Sequence, residues 1–436
     1  LPSLQEIVVI NYVLDSKKHN FEFDYVLWDD IKSKKAQSIG FTQVYFSHPL
    51  YVMYSSGTTG KPKSIVHSSG GTLIQHLKEL SLHCDLKKNE RIFYFTTCGW
   101  MMWNWLISSL SIGATIMLYD GNPFFPKQDY LLDIANQNSI NIFGTSASYI
   151  SQLKELKVFP YKKYQFNSLR CILSTGSPLV EESFEFVYKY WKKDVLLGSI
   201  SGGTDIISCF VLANPMLPVY SGKIQCKGLG MDVRSYNLNG ESIIDKKGEL
   251  VCTQPFPSMP IYFVNDSNGN KYKKAYFSKY PNVWHHGDYI KIDGSGNIEI
   301  FGRSDTTLNP GGIRIGTSEI YQVLEKIDEV LDSVVVSKKS TNDEDIVLFV
   351  KMKENYILDQ SMVDLIKMKI KNSCSPRHVP MFVLSVKDIP YTINGKKVEI
   401  AVKKIINGEQ INNKSSISNP ESLNYYKNVK ELDNLA

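Results

Sequence analysis

From Pro49 to about Ser201, short apolar runs alternate with stretches of helical period. YVMYS reads as a strand, SSGGTLIQHLKELSLH as a helix and RIFYFTT as a strand. WLISSL then leads into ATIMLYD, YLLDIANQ into INIFGTS, and LRCILSTG, EESFEFVYKYW and VLLGSISG follow. Alternation at this interval predicts βαβ crossovers, a mostly parallel sheet and an α/β fold whose ligand sits at the strand C-termini. Between about Lys223 and Ile300 the helical patterns stop. ESIIDKKGELVCT, IYFVNDSNGN and YIKIDGSGNIEIFG are strand-length pieces broken by Gly, Asn and Asp, which predicts a small β-subdomain. After GRSDTTLNPGG the alternation resumes with SEIYQVLEKIDEVL, SVVVSKK, DIVLFVKMK, SMVDLIKMKIKNS and MFVLSV, enough for a compact α+β domain. The pattern divides the chain into 1–303, 304–407 and a polar, loosely ordered tail at 408–436. LPSLQEIVVINYVLDS opens on what reads as a buried strand with Leu at position 1, so a missing upstream portion of the large domain is expected.

Composition narrows this little. With 436 residues, 43% hydrophobic and 21% charged, the chain is ordinary globular protein and long enough for two or three domains. Lys plus Arg number 49 against 44 acids, a formal charge of +5, which neither requires nor excludes nucleic acid and suits anionic phosphate ligands as well as a solvated lysine-rich surface. The seven cysteines (Cys84, Cys98, Cys171, Cys209, Cys226, Cys252, Cys374) form no CxxC pair and read as reduced side chains of a cytoplasmic protein. No run of eighteen apolar residues is present.

The strongest local signal is YSSGTTGKPK, Tyr54 to Lys63, directly after the apolar YVM and before a helical pattern. Ser55, Ser56, Gly57, Thr58, Thr59 and Gly60 are small enough for backbone N–H groups and hydroxyls to close round a phosphate, with Lys61 as a mobile counter-charge. A Walker A loop would need Gly at Ser55 and Ser or Thr at Pro62, so a P-loop kinase or GTPase is excluded.

This string resembles the phosphate loop of the adenylate-forming superfamily of acyl-CoA synthetases, luciferases and peptide-synthetase adenylation domains. SISGGTDI, HHGDYI, GRSDTTLNPGGIRIGTSEI and INGKK follow in the family's order. The resemblance implies a large adenylation domain of layered βαβ sheets with a β-subdomain, and a smaller mobile C-terminal domain. It implies ATP, Mg²⁺ and coenzyme A as ligands and small molecules as partners, with no nucleic acid and no membrane span.

Residue by residue, Thr204 and Asp205 match the family's Thr-Glu pair, which positions the α-phosphate and ligates Mg²⁺; the shorter Asp makes the metal role less secure. Asp288 matches the ribose-binding aspartate, with a turn-forming Asp as the plain alternative. Arg303 falls where the nucleotide is contacted, and Asp305 at the hinge, where it could equally cap a turn. Gly312 and Arg314 fall at the pantetheine tunnel and beside the nucleotide. Gly176, Ser177 and Pro178 lie where relatives contact adenine. Lys396 matches the lysine of the adenylation step, with Lys397 its neighbour and a solvated charge pair the alternative for both.

Within the family the strings are most similar to members that activate acetoacetate. Gly202 stands where acetate-activating relatives carry a tryptophan, which implies an enlarged acyl pocket with Trp100, Met101 and Met102 along its wall. A Met/Trp cluster at helical spacing is as readily core. The implied activity is ATP-dependent ligation of acetoacetate to coenzyme A through an acyl-adenylate; ligation of propionate or another short or medium acid, and a silent nucleotide-binding scaffold, are the alternatives.

Overall fold

The structure is a computed structural model. It describes residues 4–10, 21–32, 38–55, 63–310, 313–339, 344–392, 395–411 and 416–435. The chain divides into two compact units, Leu1–Tyr45 and Phe46–Ala436. In the first, Val8–Val9 pairs in parallel with Val26–Leu27, ahead of the short helix Trp28–Lys32. The expected buried opening strand is corrected here: among the described residues of that segment only Val8 and Val9 are paired as a strand, and Leu4, Val8 and Ile10 are exposed.

The second unit is built on a five-stranded parallel sheet. Its strands lie in the order Thr115–Met117, Arg91–Tyr94, Ile142–Ser146, Cys171–Thr175, Leu196–Ser199. Helices Met101–Ile107, Tyr130–Gln137, Ala147–Glu155 and Glu181–Phe186 connect them, as the alternating pattern predicts. Because successive strand residues face opposite ways, Phe93, Phe143 and Ile172 enter one core with Leu131, Leu132 and Trp191. Ile92, Tyr94, Ile142, Cys171 and Leu173 enter the other with Leu80, Met102 and Trp105. Each fully buried aliphatic or aromatic side chain contributes roughly 1.5–3 kcal/mol by leaving water.

Beside this sheet, Pro49–Ser55 pairs antiparallel with Lys63–Ser68, and Tyr262–Phe263 adds a third strand. The glycine-rich string therefore joins two antiparallel strands, where strand-to-helix passage was expected. The helix begins only at Ser69, with the Ser68 hydroxyl accepting from the Gly71 N–H, and runs through Lys78 into a π-turn at Glu79–His83.

The β-subdomain is an antiparallel sheet in the order Val233–Tyr236, Lys247–Cys252, Trp284–Ile292, Ile298–Arg303. The absence of helix expected there is corrected by Asn270–Tyr276, a helix of about two turns whose Lys271 and Tyr272 N–H groups are taken by the Asp266 carboxylate. The C-terminal part carries Val330–Lys339 antiparallel to Glu344–Met352, which is parallel to Phe382–Ser385, with helices Thr317–Leu324, Gln360–Ser373 and Glu399–Ile406.

The loosely ordered tail is a further correction. Residues 420–426 form a 3₁₀ turn in which Leu423 and Tyr426 are buried. Tyr426 meets Phe349 edge-on at 4.8 Å and donates its hydroxyl to the Asp388 carbonyl at 2.9 Å. Ile417, Leu423, Tyr426 and Leu432, buried among polar residues, are enough to hold a segment whose composition alone reads as unstructured. Tyr426→Ala should therefore lower unfolding stability by about 3 kcal/mol, read as a shift in denaturant midpoint; an unchanged midpoint would refute the packing of the tail.

Candidate active site

Thr204 and Asp205 occupy the turn between Ser201–Gly203 and Ser208–Leu212, a pair of antiparallel strands. The Asp205 carboxylate is met by the Lys63 ammonium, from the first residue of the strand after the glycine-rich loop, and by the Tyr276 hydroxyl at 2.6 Å, from the end of the subdomain helix. Burial alone would raise the Asp205 carboxyl. Lys63 and the hydrogen bonds from Lys63 and Tyr276 outweigh it and hold the group at about 2, so it is an anion at neutral pH. Tyr276 is itself stacked on Trp284 at 3.8 Å, which fixes the phenol.

Asp288 and Arg303 face each other across the neighbouring strands Trp284–Ile292 and Ile298–Arg303. Arg303 Nη1 donates to Asp288 Oδ1 at 3.1 Å and to the His286 carbonyl at 3.1 Å. Gly287 between them has φ +85°, and a Cβ there would come within 2.9 Å of the Arg303 guanidinium, so this turn of the strand requires glycine. The His286 ring stands 3.7 Å from Asp288 Oδ2 and is held neutral by burial.

Lys396 stands on a solvent-accessible turn, its N–H donated to Thr392 Oγ1. The protein packed around this turn displaces water from the ammonium and lowers its pKa below the ordinary lysine range. Arg303 adds to that depression, while Asp288 and Asp205 oppose it, so all three lie within electrostatic range of the amine. The structure thus brings Asp205, Asp288, Arg303 and Lys396 to one place, together with Lys63, Tyr276 and His286.

Gly176, Ser177 and Pro178 leave the C-terminal end of Cys171–Thr175, the edge of a parallel sheet where nucleotides bind, and Thr175 Oγ1 ties that turn to the Ile200 carbonyl at 2.9 Å. The Ser55 hydroxyl, at the end of its strand, is buried without a partner among the described residues. Ser56, Gly57, Thr58, Thr59, Gly60, Lys61 and Gly312 lie outside the described residues. Asp305 sits in the turn after Arg303, its carboxylate 3.6 Å from Arg303 Nε.

Three expectations take a different form. Arg314 donates to Glu249 Oε1 at 2.5 Å and to the Ser304 carbonyl at 3.3 Å, with its guanidinium over the Tyr289 ring. Glu249, 1% exposed, also takes Lys279 at 2.6 Å, His285 at 3.0 Å and the Ser304 hydroxyl, and these bonds outweigh its burial and hold its carboxyl far below the usual range. Met101 and Met102 are buried in the core beside Trp105, with Trp100 packed against that core and edge-on to Tyr94. At Gly202 a Cβ would fall 1.9 Å from the Ser208 carbonyl oxygen, so the close approach of the two strands forbids a side chain there and accounts for the glycine without an enlarged pocket.

Sequence reasoning missed Lys63, Tyr276, His286 and Glu249. Lys63 closes the phosphate-loop string and His286 lies inside HHGDYI, so both had a signal; Tyr276 and Glu249 had none, because only the tertiary fold supplies their partners.

The Asp205 carboxyl, depressed from 3.8 to about 2, contributes stability that is present above the higher value and lost as the pH falls through the lower. Lys63→Met should cost at most about 2 kcal/mol at neutral pH, solvent screening of the one-third exposed ammonium reducing the figure. The gap from wild type should narrow as acid protonates Asp205. A pH-independent gap in urea unfolding would refute the pairing.

Residues 8–263 match the AMP-binding enzyme family. Among curated relatives, acetoacetyl-CoA synthetase of Gallus gallus is 50% identical over 442 residues, covering 100% of this chain and 66% of that protein. Acetoacetyl-coenzyme A synthetase of Rhizobium meliloti is 49% identical over 427 residues, covering 98% and 66%. Among solved structures, acetoacetyl-CoA synthetase from Streptomyces lividans superposes with a TM-score of 0.91 at 40% identity, over 99% of this chain and 66% of that one. The anthranilate CoA ligase AuaEII with anthranoyl-AMP gives 0.71 at 18% identity over 83% of this chain and 68% of that one, a likeness of fold alone. The chain thus spans 66% of the length of these curated relatives. With that family's model matched over more than half of its residues, the chain belongs to the AMP-binding enzyme family.

Proposed function

We propose that this chain serves as an AMP-forming acid–thiol ligase that joins acetoacetate to coenzyme A: acetoacetate + ATP + CoA → acetoacetyl-CoA + AMP + PPi. The observation that carries the reading is the placement of Lys396 within electrostatic range of Asp205, Asp288 and Arg303. Identity of 50% to a protein named acetoacetyl-CoA synthetase supports the choice of acid.

In the first half-reaction a carboxylate oxygen of acetoacetate bonds to the α-phosphorus of ATP, and the bond from that phosphorus to the bridging oxygen of pyrophosphate breaks. Lys396 opposes the negative charge that gathers on the α-phosphate. The Asp288 carboxylate accepts from the ribose hydroxyls, with Arg303 holding its orientation. In the second half-reaction the CoA sulfur, its proton lost, bonds to the acyl carbon as AMP departs. Residues 304–407 act as the mobile domain, turning about Asp305 to withdraw Lys396 between the two steps and bringing Gly312 to the thiol arm.

Among the described residues no group of three or more His, Cys, Asp or Glu side chains converges as a metal-ligand set. The ionised, hard-oxygen Asp205 fits a Mg²⁺ that takes its remaining ligands from phosphate oxygens and water, where the ion would neutralise phosphate charge. No helix among the described residues is long and apolar enough to cross a membrane, and all seven cysteines are unpaired, which supports the cytoplasm as the compartment.

Pyrophosphate release with ATP, magnesium and CoA should be fastest with acetoacetate among acetate, propionate, butyrate and acetoacetate. Faster release with a saturated acid would move the substrate, and none with any acid would overturn the enzymatic reading. Lys396→Ala should abolish pyrophosphate release yet leave thioester formation from supplied acyl-adenylate intact; equal loss of both would sink the role given to Lys396.

A further inference from the structure

Two fully buried histidines take no part in the chemistry above. His67 lies in the strand Lys63–Ser68 and His76 in the helix Ser69–Lys78, and each is 0% exposed. His67 Nε2 is 3.0 Å from the Thr204 carbonyl oxygen, and His76 Nε2 is 2.6 Å from the Ile207 carbonyl oxygen. A carbonyl only accepts, so each imidazole carries its proton on Nε2 and donates it. These two carbonyls are the two ends of the four-residue turn that carries Asp205, closed by the Ile207 N–H to the Thr204 oxygen at 3.2 Å.

That turn is not one the backbone adopts readily. Ile207 has φ +48°, the left-handed region, where a β-branched residue is strained and persists only when its surroundings over-determine it. The surroundings do so from one side of the molecule. Gln75, next to His76, donates to Ser208 Oγ at 2.8 Å; Glu79, one turn further on, accepts from the Ser208 hydroxyl and from the Cys209 N–H at 3.2 Å, and is itself held by Trp105 Nε1 at 2.9 Å. Upstream of Asp205 the fixing group is His67 and downstream it is His76, so the carboxylate is presented from between two anchored carbonyls.

We infer that His67 and His76 are positioning residues for adenylation: by donating to the Thr204 and Ile207 carbonyls they hold the strained turn that aims Thr204 and Asp205 at the nucleotide's phosphates. The role requires a proton on Nε2 of each ring. Burial lowers both, His67 to about 4. A second proton on His67 would sit on Nδ1, which is buried without a side-chain partner among the described residues. On His76 it would face the Ser108 hydroxyl, 2.8 Å away. Asp205 and the Thr204 and Ser258 backbone favour a proton on His67 and His76 opposes it; Glu79 and the Ile207 backbone favour one on His76 and Lys78 opposes it; burial outweighs them in both rings.

The inference rests on the adenylating activity proposed above. His67→Leu and His76→Leu should each lower kcat for pyrophosphate release by about 100-fold, the order of loss that accompanies misplacement of a reacting group by an ångström, with KM for the acid little changed. Thioester formation from supplied acyl-adenylate should stay near wild type. His67→Gln and His76→Gln, whose amide N–H can reach the same carbonyl, should recover most of the loss. Unchanged kcat in the Leu variants, equal loss of both half-reactions, or Gln variants no better than Leu would overturn the inference.

Should the Leu variants fail to fold, or wild type release no pyrophosphate with any acid, the rings themselves decide. Long-range ¹H–¹⁵N spectra of the histidine-labelled protein at pH 7 should show two neutral Nε2–H imidazoles, one assigned away by each Gln variant. An Nδ1–H tautomer, which leaves Nε2 without a proton, at either position would overturn the inference without reference to activity. Absence of pyrophosphate release together with the expected tautomers would count against the functional reading and leave the anchored turn standing.

Discussion

A carboxylate as enclosed as that of Asp205 remains ionised only while a cation and a hydrogen-bond donor meet it, and this requirement ties the site together. Its partners come from three other places in the chain: Lys63 from the strand after the glycine-rich loop, Tyr276 from the subdomain helix, and His286 within electrostatic range from the long strand Trp284–Ile292. An isolated buried charge would cost several kcal/mol, so each element must dock in its observed place or leave Asp205 protonated. The same constraint makes the cluster a fit for phosphate, because fixed positive charge and hydroxyl donors are already aligned around one anion and can be shared with another.

A second buried carboxylate does for residues 304–314 what Asp205 does for its own cluster. Glu249 gathers Lys279 and His285 from the β-subdomain and Ser304 and Arg314 from either side of Asp305. Two residues earlier on the same strand and the same face, Lys247 pairs with Glu319, which also takes His378 at 3.3 Å. One strand, Lys247–Cys252, therefore grips the segment beyond the hinge at two charged points. Because water hydrates the separated charges, such partly exposed pairs contribute little net stability, and they fix position more than they add strength.

The fold was legible wherever one short stretch carries its own period. The parallel sheet, the subdomain sheet and the C-terminal α+β pattern all follow from apolar alternation, because strands covered on both faces must be apolar throughout. Legibility failed where partners are distant in sequence. The helix Asn270–Tyr276 is short, lysine-rich and started by Asp266, with only Tyr272, Ala275 and Tyr276 turned to the core, and the tail is held by side chains such as Tyr426, which finds Phe349 and Asp388. At Gly202 the structure adds a constraint that the sequence could not show: the Ser208 carbonyl lies where a side chain would be.

By itself the sequence determined the class of fold, the order of the nucleotide-site strings and the identity of Asp205, Asp288, Arg303 and Lys396 as the groups to watch, since residue type and local spacing are properties of the chain. Only the tertiary structure decided that Lys63, Tyr276 and His286 complete that site, that Arg314 is engaged by Glu249, that Met101 and Met102 are core, and that two buried imidazoles hold the turn bearing Asp205. Each of these is set by which group approaches which at about 3 Å, where hydrogen bonds form and burial changes charge, and such distances arise only when remote segments pack.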